Sequence, residues 1–576
     1  MEQYGDKGTP AAQPEKETRN LANILDRLPE RVGAELPAAV KSDGAPEADA
    51  PAPAPAQPQG KKASQADKMV ELALPNCELF HSKDREAFIT VHEDGIAKTF
   101  KVKSRDTKFW LMKLLYTAEG ITPNPTALNT AINSLMGRAL FDGEAREVNL
   151  RYAYCEGRLY IDLGNAAYQQ VEIGTDGRRI IESKASPVKF VRKNGMAPMT
   201  APADKGSFEP LGAFLNLEIG DDTILIGAWL LGSMNPKGPY PILAFVGEQG
   251  TAKSTMAKIL KDLVDPSCIP LSTLPRDERN LAIAAEATWA LCFNNISTLS
   301  SDQSDWLCRL ATDGGLRDRV LFTDSDEIHF KSIRPIILNG ISDYVTRGDL
   351  ASRCIIINPP TIPPEKRISE RELWQRWHEV KPVVFAAFCD ALSAALRNLE
   401  TTKLDRLPRM ADFAQFVSAA ESALPWAPGA FLKAYERNEA QLVDTALEAD
   451  QVATAVTAFI DQTERNQWAG TASELLAVLN ERVDGNIWRL KTWPKQPNLL
   501  SNRLRRLAPS LRTKGIEIEK GKSGDRYISI RKQGATVPEL PSRPVEHQVA
   551  ERPQEYAARA DDDWADFDDD FEELVI

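Results

Sequence analysis

Residues 247–255 read GEQGTAKST. Glycines, a lysine and a hydroxyl residue at this spacing suit chemistry on phosphates. In such a loop the backbone N–H groups and the start of a following helix point at phosphate oxygens. The lysine reaches the outer phosphates and the serine hydroxyl binds Mg²⁺. Gly247, Glu248, Gln249, Gly250, Thr251, Ala252, Lys253, Ser254 and Thr255 are therefore the expected ATP-contacting set, with Lys253 also catalytic and Ser254 the metal ligand. Gly250 can supply the tight inner turn. Ala252 stands where a last glycine is usual, a methyl group that is tolerable at negative φ and costly at positive φ. The bland alternative, a chance Gly/Ala-rich turn, would have to explain the Lys-Ser pair at the correct offset.

The flanking segments supply the elements this chemistry needs. PILAFV (241–246) is a short apolar run, as expected of a buried parallel strand, and STMAKILKDLV continues with helical spacing. Strand, loop and helix are the context the motif requires. A neighbouring strand should end in a carboxylate that holds Mg²⁺ or polarises water. The best candidate, TWALCFNN (288–295), ends in Asn294 and Asn295. An amide hydrogen-bonds water but neither takes its proton nor neutralises a metal. Glu286, Asp302 and Asp305 are nearby acids that could substitute, although each alone reads more simply as surface charge. RPIILNG (334–340) ends in Asn339, which could position a water. Arg353 precedes the apolar run CIII and could reach a neighbouring subunit's γ-phosphate, with Arg347 as runner-up and a structural ion pair as the plain alternative. Arg409, in LPRMADFA, could touch the phosphates from a helical lid.

These motifs follow one another in an order that resembles bacterial and phage ATP-binding proteins related to primase-helicases, of the superfamily 3 helicase type within the AAA+ class. The quoted stretches are YPILAFVGEQGTAKSTMAKILKDLVDPS, LPRDERNLAIAA, WLCRLATDGGLRDRVLFTDSDEIHF, RPIILNGISDYVTRGDLASR and RLPRMADFA. The resemblance covers 205–420 well and the flanking regions loosely. It implies an α/β P-loop core with Gly247 through Thr255 as the ATP loop, Asn339 as sensor and Arg353 as finger in a homo-oligomeric ring. Relatives typically carry an acid where this chain has Asn294, which puts turnover in question. The resemblance also implies a hairpin that grips single-stranded DNA; RVLFTD and EIHFKS flank an acidic turn, with Arg317, Arg319, His329 and Lys331 as the available basic residues. No primase metal site is visible.

The rest of the 576 residues frames this core. Residues 1–65 are Ala/Pro-rich and read as a disordered arm, with Leu21, Ile24, Leu25 and Leu28 on one face of a possible docking helix. Residues 66–200 read as an α+β domain of hairpins and helices with no catalytic constellation. The expected core spans 205–400 and a helical lid 401–450. ILIGAWLLGSM (224–234) is too short for a membrane span, which needs roughly 20 residues, and reads as a buried helix. Seven cysteines lie singly, with no CxxC pair, and no signal pattern opens the chain. A reduced cytoplasmic protein without a membrane partner is the expectation.

The net charge of −12 averages two opposite regions. Residues 489–532 carry 13 Lys/Arg against three Asp/Glu, whereas 561–576 carry nine acids and no base. Residues 451–532 read as helices followed by a basic hairpin, a winged-helix-like pattern. Arg503, Arg506, Arg512, Lys520, Lys522 and Arg526 are the expected DNA-phosphate contacts. A protein-contact module with a solvated basic face is the alternative. After a linker from 533, the acidic tail with Trp564, Phe567 and Phe571 suits competition for that basic surface, a replication or single-strand-binding partner, or plain solubility. Two functions remain open from sequence: a DNA-acting replication helicase or initiator of a phage or mobile element, and a nucleotide-gated DNA-binding, regulatory or anti-phage defence ATPase that hydrolyses little.

Overall fold

The computed structural model describes residues 64–312, 316–319, 327–330, 333–341, 344–345, 347–463, 466–490, 492–523 and 525–532. The readings made for the arm up to residue 63 and for the tail lie outside these residues.

Alternating apolar residues and Asp-Gly turns build the N-terminal part. Helix α1 (Gln65–Ala73) precedes an antiparallel sheet of β1 (Cys77–His81), β2 (Ala87–Glu93) and β3 (Ile96–Lys101). Asp94 and Gly95 both take positive φ, 50° and 81°, which is what a two-residue hairpin turn matched to strand twist demands. Helices α2 (Arg105–Glu119) and α3 (Pro125–Phe141) cover this sheet, and Ser104 and Asn124 cap them. Strands β4 (Val148–Asn149) and β9 (Lys189–Phe190) form a short pair. Between them, β5 (Tyr152–Cys155), β6 (Arg158–Asp162), β7 (Gln169–Gly174) and β8 (Gly177–Glu182) make an antiparallel meander.

The next segment begins with the buried helix α4 (Asp221–Ser233). It continues through β10 (Ile242–Phe245), α5 (Lys253–Val264), α6 (Glu278–Ala287), β11 (Leu291–Ile296) and α7 (Ser301–Thr312). A two-stranded pair follows, β12 (Leu316–Arg319) with β13 (Glu327–Phe330), then β14 (Ile336–Gly340), α8 (Gly348–Ala351) and β15 (Cys354–Ile357). The first arm of this pair lies earlier than the expected 319–324. The long helix α9 (Glu370–Asn398), α10 (Ala411–Ala420) and α11 (Ala430–Ala449) complete the segment. Strands β10, β11, β14 and β15 form one parallel sheet in the order β11-β14-β10-β15. Their apolar runs are unbroken because both faces are covered. The phosphate-type loop leaves the carboxyl end of β10, between two neighbours reached by crossovers, where open α/β sheets bind ligands.

One apolar cluster joins Tyr152, Ile161 and Val171 of the meander to α4, α5, α9, α10 and α11. The composition change near residue 200 is therefore no break in packing. Buried ions reinforce this junction. Arg151 and Lys261 both pair with Asp265, at 3.1 Å and 2.6 Å, and Asp265 also accepts the backbone N–H groups of Trp289 and Ala290. Burial opposes the charge on Asp265, but Lys261 and Arg151 outweigh it and hold the carboxyl below its ordinary range.

The last part runs α12 (Gln451–Gln462), β16 (Gln467–Gly470), α13 (Ala472–Arg482), α14 (Gly485–Arg489), α15 (Pro497–Thr513), β17 (Ile516–Ser523) and β18 (Asp525–Lys532). Its sheet is antiparallel in the order β16-β18-β17. The sequence reading had only helices and a hairpin here; β16, the four residues QWAG, is too short to alternate. No helix among the described residues is long and apolar enough to cross a membrane.

Candidate functional site

The loop between β10 and α5 uses positive φ three times: Gly247 at 141°, Gly250 at 83° and Ala252 at 59°. The alanine thus sits in the left-handed region, the costly one of the two cases, at about 1–2 kcal/mol for a residue with a Cβ. Its carbonyl already accepts from Met256, so Ala252 caps α5. The first N–H groups of α5 have no intrahelical acceptor and face the loop mouth. Lys253 is nearly buried; its Nζ donates to the carbonyl of Gly247 at 2.8 Å, to that of Glu248 and to Thr251 Oγ1 at 3.0 Å. Burial lowers its pKa. Glu248 and Gln249 are exposed at the rim and Thr251 is buried beneath it.

Three residues from three elements meet beside Lys253. Asn339 Nδ2 donates to Ser254 Oγ at 2.8 Å and to Asn294 Oδ1 at 2.7 Å, and Ser254 Oγ donates to Asn294 Oδ1 at 3.2 Å. A β-bulge aims Asn294 there. Phe293 pairs with Leu338 and Ile296 with Gly340, so Asn294 and Asn295 together oppose Asn339. Asn295 takes φ 58°, a conformation asparagine tolerates better than most residues. The double asparagine thus has two separate reasons, one at the site and one in the backbone.

The implied Mg²⁺ was tested against this donor set. It offers one hydroxyl and two amides, and no carboxylate hydrogen-bonds to any of them. Mg²⁺ dehydrates reluctantly and is usually held through one or two carboxylates plus substrate phosphates. The set does not fit a protein-held Mg²⁺. Two of the acids considered as substitutes are engaged elsewhere. Glu286 pairs with Lys193 at 2.9 Å and Lys101 at 3.4 Å, and Asp305 pairs with Arg347 at 2.8 Å. Asp302 is exposed in the first turn of α7. Among the described residues no group of three His, Cys, Asp or Glu could hold a metal.

The arginines divide differently from the sequence expectation. The carbonyl of Arg353 accepts from Ile242 N at 2.8 Å, which sets it beside the start of β10. The loop begins beyond the other end, roughly 15 Å of strand away. Arg353 pairs there with Asp349, and Arg409 joins the same carboxylate at 3.0 Å and Ser352 Oγ at 2.9 Å. Burial opposes ionisation of Asp349, but Arg353 and Arg409 outweigh it and lower its pKa. Arg409 is therefore not at its own chain's loop: it packs with Arg353, because the turn before α10 lies over that opposite edge. Arg347 also donates to Ser301 O at 2.7 Å.

Two residues that the sequence reading missed do adjoin the loop. Asn216 Nδ2 donates to Thr251 O at 3.2 Å and to Pro360 O, bracing the loop from outside. Arg367 Nη2 stands 3.8 Å from where a Cβ on Gly250 would lie. It is held by Ile362, whose carbonyl accepts from the guanidinium and whose N–H donates to Gly250 O at 3.0 Å. Neither lies in a motif, and no spacing signal marks them.

In the C-terminal part several expected DNA contacts have internal partners. Arg503 pairs with Asp450 at 2.5 Å, Lys514 with Asp444, and Lys520 Nζ donates to Ser501 O and Oγ at 2.8 Å and 2.7 Å. Arg506 and Arg512 are exposed on α15, as is Arg505, which the sequence reading passed over. Lys522 and Arg526 oppose each other in the β17–β18 register.

Residues 210–444 match the family described as actinomycete integrative conjugative element replication protein, and residues 452–544 match the C-terminal domain of the same family. No curated protein matches by sequence. Among solved structures, the chain is similar to the SCCmec type IV Cch active helicase, at 13% identity, covering 79% of this chain and 92% of that one, with a TM-score of 0.43. It is also similar to the A-form apo structure of the NrS-1 C-terminal region, at 12% identity, 83% and 100% coverage and a TM-score of 0.35. Both likenesses are distant.

Proposed function

We propose that this chain, which over residues 210–444 and 452–544 belongs to the replication-protein family of actinomycete integrative conjugative elements, is an ATP-binding, DNA-acting replication protein of a mobile element. Its core is a P-loop ATPase core of the AAA+/superfamily 3 kind, and residues 451–532 are its winged-helix-like DNA-binding module. The observation that carries the reading is the meeting of Lys253, Ser254, Asn294 and Asn339 at the carboxyl ends of three adjacent parallel strands. Phosphate oxygens entering the loop exchange for the carbonyls that now hold Lys253. Asn339 then orients a water or a phosphate oxygen by its amide.

Arg353 and Arg409 cannot serve the loop of their own chain from the opposite sheet edge. They can serve a neighbour's, which supports a ring of copies in which Arg353 meets the adjacent γ-phosphate. DNA phosphates are met by Arg505, Arg506 and Arg512 on α15 and by Lys522 and Arg526 of the β17–β18 hairpin. Affinity for duplex DNA falls with salt at a slope of about −0.9 per neutralised phosphate.

A second reading, a nucleotide-gated DNA-binding protein that turns over little ATP, is favoured by one observation, the neutral amide at position 294. ATP hydrolysis with and without single-stranded DNA, in wild type, Lys253→Ala and Asn294→Asp, separates the two. DNA-stimulated turnover in wild type, abolished in Lys253→Ala, supports the motor. Turnover that appears only in Asn294→Asp supports the gated protein. Absence of nucleotide binding in wild type ends both.

A further inference from the structure

We infer that the loop binds nucleotide by meeting its phosphate charge with Lys253 and Arg367, without Mg²⁺ held by the protein, so that binding survives removal of divalent ions. This rests on the reading of the loop as a nucleotide site and says how that site recognises its ligand.

The argument begins with charge. A nucleoside triphosphate brings several negative charges into a partly dehydrated loop. They must be offset by a metal that the protein helps to hold, or by the protein's own cations. The groups beside the lysine are a hydroxyl and two amides, joined to one another by three hydrogen bonds. They carry no net charge, and the amide and hydroxyl oxygens already accept from neighbours. A hard cation gains little from such a set. The positive side is richer. Lys253 lies under the loop. Arg367 lies over the turn at Gly250, from the segment that follows β15. The two cations come at the loop from different elements. Arg353 and Arg409, which the motif order suggested for this work, are tied to Asp349 at the other edge of the sheet.

Arg367 is suited to the task. Its guanidinium is kept near the turn by Ile362 O, and that residue's N–H is itself bonded to Gly250 O. The cation is therefore registered to the loop by backbone, while its remaining N–H donors face outward. A planar guanidinium with free donors recognises phosphate oxygens in pairs. Glycine at 250 keeps the approach open, since nothing closer than 3.8 Å meets a Cβ position there.

The test measures affinity of a fluorescent ATP analogue for the full chain, once in excess Mg²⁺ and once in EDTA. The proteins are wild type, Arg367→Ala, Arg367→Lys, Lys253→Ala and Asn294→Asp. Wild type is expected to bind within about threefold in the two conditions. Arg367→Ala is expected to lose about tenfold or more in both, as for a lost charge-assisted hydrogen bond, with Arg367→Lys recovering part of it. Asn294→Asp, which places a carboxylate beside Ser254, is expected to bind better in Mg²⁺ than in EDTA. A collapse of wild-type affinity in EDTA overturns the inference, as does an Arg367→Ala protein that binds like wild type. Failure of wild type to bind in either condition overturns instead the nucleotide reading on which the inference stands.

Discussion

The two ends of helix α5 are built from opposite materials. At its carboxyl end Asp265 is surrounded by Arg151, Lys261 and two backbone N–H groups, all buried. At its amino end, about 18 Å away, the polar residues packed together are neutral, and the charged lysine is held only by carbonyls and a hydroxyl. A carboxylate stands where it locks structure and is missing where phosphate chemistry would use one. The difference follows from what each end must do. The Asp265 cluster closes on itself, and every strong donor there has an acceptor. The loop end leaves helix N–H groups and one cation to be completed from outside.

Four variants can break or sharpen this contrast. The largest effect is expected from Asp265→Ala, which strands two buried cations and costs about 3–5 kcal/mol in chemical denaturation. Because the folded Asp265 carboxyl lies below its ordinary value, its contribution is present above about pH 4 and is lost as pH falls through the folded pKa. Asp265→Asn should flatten that acid limb. A loss under 1 kcal/mol for Asp265→Ala would mean that this end is not a lock.

Lys253→Ala should leave unfolding stability within about 1 kcal/mol of wild type, yet weaken nucleotide binding by about 2–3 kcal/mol in calorimetry, the worth of hydrogen bonds to a charged group. Equal losses in folding and binding would erase the distinction between the two ends. Asn216→Ala removes the brace on Thr251 and Pro360 and should cost about 1–2 kcal/mol of stability, with faster hydrogen exchange in the loop. The smallest change is Ala252→Gly. Relief of the left-handed alanine, less the extra freedom of an unfolded glycine, should stabilise the fold by about 0.5–1 kcal/mol. A destabilisation would mean that the loop does not hold φ at 59°.

Much of the parallel core was legible. PILAFV, RPIILNG and the helix after the loop are unbroken apolar or helically spaced runs, and they fold as β10, β14 and α5. The Asp-Gly hairpin of the N-terminal part was equally plain, because positive φ at two successive positions selects its residues. β16 was not legible, since four half-buried residues carry no period. The surface of α15 was misjudged for another reason. Arg503, Lys514 and Lys520 look like free cations in sequence, but Asp450, Asp444 and Ser501 lie beside them in space. At the loop, the motif located Lys253 and Ser254, whereas Asn216 and Arg367 reach it from segments that no local pattern connects.

The sequence by itself determined the order of strand, loop and helix, the amide at 294 and the charge of each region, because these depend on residue type and short-range spacing. Tertiary structure decided which cations face the loop. Strand order sets Arg353 and Arg409 at the far edge of the sheet and brings Arg367 over Gly250, and strand order is a choice among long-range pairings of similar apolar strands. It also decided the conformation of Ala252. A methyl group is compatible with either sign of φ, and only the closed path from β10 into α5 forces the positive one.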